Sequence, residues 1–418
     1  MNIKFRLTLM SFLQFFIWGS WLITIGTYCM NSKGWTFDQF GAIFSTMALA
    51  SLFMPALTGI IADRWINAEK LYGILQIFYG LVLLYVPQVN NPDNLYYVIF
   101  AAMIFYMPTI SLSNTIGYFV LKNNNYDVVK SFPPIRVFGT IGFIVAMWIT
   151  NFTHSNINAN QFYIGAIGAI ALGIYSFTLP KCAPQKLISK EAPWYEQLGL
   201  NAFKLFGNYK VALFFLFSFF LGAALQLTNM YGDTFLFHFG NDPQYAGSFV
   251  VKNSPLVMSL SQISETVFIL TIPFFLRRFG IKKVMLISML AWVLRFGFFS
   301  FGAPEGFGLI LILLSNIVYG MAFDFFNISG SLFIETSTDS KIRASAQGLF
   351  MMMTNGFGAF IGSRVSGFIN NKYFVQEGVS DWHGIWITYA IYALVVAVAF
   401  AVLFKHKHDP KALENIKH

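Results

Sequence analysis

Residues 39–65 read QFGAIFSTMALASLFMPALTGIIADRW. From Gln39 to Ala62 there is no charged side chain, and then Asp63 and Arg64 arrive together. About 20 mostly apolar residues are enough for a helix to cross a bilayer. This stretch is therefore predicted to be a membrane-spanning helix that ends at a charged boundary. The same pattern recurs along the chain. Twelve apolar segments are long enough: 7–30, 39–62, 70–88, 94–121, 134–152, 161–179, 210–232, 253–276, 283–300, 306–334, 343–369 and 382–404. They are called spans 1 to 12 below. None alternates apolar and polar residues as the short strands of an outer-membrane barrel do. The fold class they predict is an all-α polytopic membrane protein.

Composition agrees. Of 418 residues, 56% are hydrophobic and 11% charged, against about 25% charged in soluble domains. The net charge of +9 would suggest nucleic acid in a soluble protein. Here its placement matters more, because cytoplasmic loops collect Lys and Arg. With loops assigned alternately to the two sides, one side holds only Lys33, Lys252 and Lys372. Arg136, Arg295 and Arg364 lie inside spans or at their ends, and every other Lys and Arg falls on the opposite side. That bias places both termini in the cytoplasm and requires an even number of spans. It also removes the reason to expect a nucleic-acid partner; the lipid bilayer is the expected one. The first apolar stretch is too long for a signal peptide and lacks a small-residue cleavage site. Cys29 and Cys182 are expected at opposite faces, where they cannot bridge.

The spans divide six and six. Residues 1–179 form an expected N-terminal bundle and 210–404 a C-terminal one. Between them runs a cytoplasmic linker, 180–209, with Pro180, Pro184, Pro193 and four lysines, and a fifth, Lys210, just past its end. Residues 405–418 are a basic tail. Transporters built as two such halves hold their substrate between them, near the midplane. Gly59, Asp63 and Arg64 fit the G-x-x-x-D-R signature of the major facilitator superfamily. In that reading Gly59 lets helices approach closely, and Asp63 and Arg64 latch the bundles at the cytoplasmic face. The competing reading is a solvated turn. Pro55, Pro108, Pro255 and Pro273 are expected to kink their helices. Trp35, Trp65 and Trp382, near span ends, are expected in the interfacial belt.

Polar groups inside spans are the main functional signal, since a charge there costs about 2.5–3.5 kcal/mol on insertion scales. Gln226 and Asn229 share a face of span 7, Gln262 and Glu265 a face of span 8, and Asp324 and Asn327 a face of span 10. Arg136, Thr140 and Phe143 share a face of span 5. Amides both donate and accept, so this set suits a neutral, hydroxyl-rich or heterocyclic ligand better than an ion. For a lone Asn or Gln the alternative is an interhelical hydrogen bond. A carboxyl taken out of water disfavours its charged form and can exchange a proton near neutral pH. Glu265 and Asp324 are thus candidate proton carriers, with Arg136 a candidate counter-charge. The membrane potential supplies about 2.3 kcal/mol per charge per 100 mV, so one coupled proton can drive accumulation. Phe143 and Phe323 stand beside these groups and could pack on a flat ligand. Arg295, mid-span 9, and Arg364, toward the outer end of span 11, are left without an assigned partner.

Nothing resembles the motifs of a soluble enzyme: there is no P-loop, H-E-x-x-H, G-x-S-x-G or C-x-x-C. Without a nucleotide site, the energy is expected from a gradient, with no metal and no cofactor. Seven runs taken together resemble the nucleoside:proton symporter family of the major facilitator superfamily: SFLQFFIWGSW (11–21), MPALTGIIADRW (54–65), FPPIRVFGTIGF (132–143), LQLTNMYGDTFL (225–236), SQISETVFILTIPFFL (261–276), YGMAFDFFNISGS (319–331) and IRASAQGLFMMMTNGFG (342–358). The resemblance implies a major facilitator fold and uptake of ribo- and deoxyribonucleosides, such as uridine and adenosine, with a proton, by a monomer in a bacterial inner membrane. It implies a substrate site at Arg136, Thr140, Phe143, Gln226, Asn229, Gln262, Glu265, Phe323 and Asp324. A symporter or facilitator for another neutral polar solute, such as an oligosaccharide, is the alternative.

Overall fold

The computed structural model describes residues 2–184, 200–339 and 342–406. Helix covers each of the twelve predicted segments. Lipid offers no partner to a backbone N–H or C=O, so each crossing segment must satisfy its own. The one strand pair among the described residues is a two-rung hairpin in the loop before span 12, Val375–Gln376 against Val379–Ser380. Glu377 and Gly378 form its turn at φ 51° and 81°, the left-handed pair that a two-residue hairpin needs.

Eight helices are by themselves long and apolar enough to cross a membrane, among them Phe37–Arg64, Pro92–Asn123, Tyr209–Asn241 and Gly306–Ser337. Large apolar side chains stay exposed along them, Leu290, Phe274 and Ile391 for instance, as a lipid-facing surface requires. The other four predicted spans are short or broken. Span 1 is Ile3–Gly19 followed by irregular turns and a π-turn, Tyr28–Ser32. Span 6 is Asn160–Ser176. Span 8 runs Ser254–Ile269 and restarts at Ile272. Span 11 is Arg343–Met351, a π-helical stretch Met352–Gly358, and Ala359–Tyr373.

The prolines act in two ways. Pro273 has no N–H to give, and the helix breaks just before it, at Leu270 and Thr271. Pro55 and Pro108 sit inside helices that continue through them. Pro255 does not kink a helix; it lies in the first turn of Ser254–Ile269, where its missing N–H has no intrahelical partner to lose. The basic loop after span 8 is very tight. Gly280, at φ 77° and ψ 167°, turns the chain from span 8 into span 9, a conformation that only glycine adopts at little cost.

The chain divides into two compact units whose boundary falls in 185–199, outside the described residues. Half of the expected linker, with Lys186, Lys190 and Pro193, lies outside the described residues, as do Lys341 and tail residues 407–418. In the first unit span 1 packs on span 5, span 2 on span 4 and span 3 on span 6. In the second, span 7 packs on span 11, span 8 on span 10 and span 9 on span 12. Close backbone approach sets these contacts. A Cβ on Gly142 would lie 2.1 Å from the Phe12 carbonyl oxygen, and one on Gly222 would lie 2.0 Å from that of Thr354. Gly59 makes no such approach, since a Cβ there meets nothing within 4 Å.

Both cysteines are buried thiols. Cys182 lies where the chain leaves span 6. Its backbone N–H donates to the buried Glu69 carboxylate at 2.8 Å, and its carbonyl accepts from Ala68 N–H at 3.1 Å. Burial, with a smaller push from Glu69, raises the Cys182 thiol to about 12. Trp382 departs from expectation. It is 6% exposed, inside an aromatic cluster with Phe235, Tyr231 and Trp386, whereas Trp65 is exposed.

Candidate functional site

The predicted site residues fall into one group in each unit. In the first, span 5 begins at Val128, with Asp127 capping through the N–H of Lys130. Arg136, Thr140 and Phe143 then follow at helical spacing. Arg136 is half-buried, its guanidinium carbon 4.0 Å from the centre of the Phe15 ring of span 1. Phe15 thus places that cation, which the sequence did not reveal. Thr140 is half-buried and Phe143 is 9% exposed. The Phe143 backbone lies against Gly19, where a Cβ would come 2.4 Å from its carbonyl oxygen.

The first unit also holds a buried hub that sequence reading missed. Gln14 of span 1 is fully buried. Its side-chain oxygen accepts from Tyr72 Oη at 2.6 Å and Gln76 Nε2 at 2.7 Å. Its Nε2 donates to Thr109 Oγ1 at 2.9 Å, and its carbonyl accepts from Tyr106 Oη at 2.8 Å. Partners from 58 to 95 residues away leave no local signature.

In the second unit the expected polar residues come from spans 7, 8 and 10. Gln226 and Asn229 are half-buried on span 7, and Gln262 and Glu265 on span 8. On span 10, Asp324 is 5% exposed and Phe323 half-buried. Span 8 lies against span 10 at Gly320, where a Cβ would come 2.6 Å from the Ser264 carbonyl oxygen. This approach brings Glu265 within electrostatic reach of Asp324. Asp324 Oδ2 is buried without a hydrogen-bond partner among the described residues. Asn327 is spent locally, donating to the Phe323 carbonyl at 3.2 Å. Phe323 and Asn327 line a small cleft with Leu225 of span 7, Trp292 of span 9 and Thr354 of span 11.

Two residues join this group that sequence reading had not placed. Tyr319, one turn before Phe323, is stacked on it with ring centres 5.9 Å apart and planes 1° from parallel. Gln262, Glu265, Asp324 and Arg295 all lie close enough to act on its hydroxyl electrostatically. Asp233 of span 7 is fully buried. The sequence reading ended span 7 at 232, but the helix continues to His238. Among the described residues no cluster of His, Cys, Asp and Glu could hold a metal.

Two six-helix units with carboxyls and amides buried in their spans define a polytopic transporter of the major facilitator fold. The chain matches the description "Nucleoside H+ symporter" over residues 1–409, and it belongs to that family. It is 51% identical to the xanthosine permease of Escherichia coli, over 100% of this chain and 99% of the relative. It is 48% identical to the nucleoside permease NupG of Escherichia coli, over 100% of both chains. A crystal structure of a NupG mutant superposes with a TM-score of 0.94 at 48% identity, covering 97% of this chain and 100% of the other.

Proposed function

We propose that this chain carries nucleosides, uridine and adenosine among them, into the cell together with a proton, by alternating access. The observation that carries the coupling is the Glu265–Asp324 pair: two carboxyls on packed spans, within electrostatic reach of each other, one of them with a buried oxygen lacking a partner. A buried polar atom without a partner is costly, and a bound proton or a ligand hydroxyl relieves that cost. The relatives at 51% and 48% identity are named for xanthosine and for nucleosides, which supports the choice of substrate.

In this reading Gln226, Asn229 and Gln262 hydrogen-bond ribose hydroxyls and base edges, because an amide can meet either a donor or an acceptor. Phe323 and Phe143 pack on the base. Arg136 and Thr140 hold the substrate from the first unit, and Arg136 serves as the counter-charge that a carboxyl releases when it takes up the proton. Asp63 and Arg64 act as the cytoplasmic latch. The chain works as a monomer in the bacterial inner membrane with both termini inside, drives no covalent chemistry and needs no cofactor beyond the proton gradient.

The test is uptake of labelled uridine into proteoliposomes with and without an inward proton gradient. Accumulation that needs the gradient and collapses with a protonophore is expected. Uptake that only equilibrates would leave a facilitator, and no uptake would sink the nucleoside reading.

A further inference from the structure

Span 9 packs against span 10 on one side and span 12 on the other, and its two faces differ. The inward stripe, with Trp292, Arg295 and Phe299, is buried. Its polar member is spent there: Arg295 Nη1 donates to Ser261 Oγ of span 8 at 3.2 Å and to the Ser315 carbonyl of span 10 at 2.8 Å. The guanidinium carbon lies 4.5 Å from the ring centre of Tyr319. The opposite stripe, Val293, Gly297 and Phe301, recurs at helical spacing and stays open. It is the floor of a groove walled by Leu311 of span 10 and by Ile387 and Ile391 of span 12. The groove holds about 700 Å³, and every residue lining it is apolar. Gly297 leaves the floor open, since a Cβ there meets nothing within 4 Å.

The dimensions suit one leaflet. Val293 to Phe301 advances about 12 Å along the helix, and the whole hydrocarbon core is about 30 Å thick. The groove ends at Phe301 and Phe307, both exposed, where the chain turns from span 9 into span 10. A membrane helix of another molecule would seat on small residues four apart. The residues at that spacing from Gly297 are Val293 and Phe301, which offer no such seat. An acyl chain needs none.

The rim at that end is acidic. Glu305 is exposed and precedes span 10 without a side-chain capping bond. Asp381 is exposed at the start of span 12, two residues before His383, whose ring lies 5.1 Å from that of Phe301. The sequence has no Lys or Arg from 296 to 340 or from 373 to 404, so neither stretch offers one to a lipid phosphate. An anionic headgroup would meet like charge there, and an ammonium would meet opposite charge.

We propose that this groove binds one acyl chain of a phospholipid whose headgroup carries a primary ammonium, a phosphatidylethanolamine, with the ammonium against Glu305 and Asp381. The site is independent of which solute the chain carries.

The test is native mass spectrometry of the full chain in detergent, titrated with phosphatidylethanolamine or with phosphatidylglycerol of identical acyl chains. One phosphatidylethanolamine per chain is expected to bind roughly fivefold more tightly than phosphatidylglycerol, the scale of one charge at a membrane surface. Gly297→Leu fills the floor without a clash and is expected to weaken that binding roughly tenfold, the scale of one or two buried CH₂ groups. Its melting temperature without lipid is expected to be no lower than that of the unmodified chain, which separates a filled groove from a damaged fold. Glu305→Lys is expected to pass the preference to phosphatidylglycerol. Equal binding of the two lipids, or binding that Gly297→Leu leaves unchanged, would overturn the proposal. So would a dimer that Gly297→Leu dissociates, because a second copy would then occupy the groove.

Discussion

The two units share one packing scheme and fill it with different chemistry. Span 1 on 5, 2 on 4 and 3 on 6 becomes span 7 on 11, 8 on 10 and 9 on 12. In the first unit, spans 1, 3 and 4 meet at a neutral hub in which Gln14, Tyr72, Gln76 and Thr109 bond one another. In the second, spans 8, 9 and 10 meet around a guanidinium and two carboxyls. Neutral hydrogen bonds hold a shape at any pH. Charges in the same low-dielectric setting change state when a proton arrives. On the proposed function, the first hub holds shape and the second handles the proton.

The strongest attempt to break that contrast is to neutralise the acids. Glu265→Gln and Asp324→Asn are each expected to abolish concentrative uridine uptake while equilibrative exchange continues. Full accumulation by either variant removes that acid from the coupling.

Arg136→Gln should weaken nucleoside binding by roughly tenfold or more, the scale of a hydrogen bond to a charged group. Calorimetric titration in detergent reads this, and an unchanged affinity would take Arg136 out of the substrate site. Gln14→Leu should leave the pH dependence of transport alone but cost about 2 kcal/mol, because Tyr72 and Gln76 lose their acceptor. Its melting temperature should fall by several degrees. A shift in its pH profile instead would mean that the neutral hub also takes part in coupling. The smallest effect belongs to Arg343→Gln. The Arg343–Glu335 pair, 2.7 Å apart and partly exposed, is of the kind worth about 0–1 kcal/mol. A large loss of uptake there would show that this ion pair gates the transporter.

Span positions were legible because the bilayer imposes a length and a composition on each helix. The broken helices were legible only in part. Pro273 announced its break, but the same residue type at Pro255 opens a helix, and sequence alone does not separate the two cases. The acids and amides of spans 8 and 10 were legible because polar residues are costly in lipid. Asp233 was missed because its helix runs six residues past the apolar segment, to His238. Arg295 was visible as a charge, but its partners Ser261, Ser315 and Tyr319 come from two other spans. Gly59 was read as a contact because glycine permits one; permission and use are different facts.

The π-helical stretch Met352–Gly358 has a consequence for insertions and deletions. A π-turn closes one residue later than an α-turn, so it holds a surplus residue. Ala359–Tyr373 is therefore indexed one step out of phase with Arg343–Met351. Deleting one residue from the stretch would let α-helix run straight through and swing the second half of span 11 by about 100°, one step of a 3.6-residue turn. Ser366, now 3.3 Å from Tyr231, would leave span 7, and Arg364 would point elsewhere. In span 11 the number of residues thus sets the packing as much as their identity does.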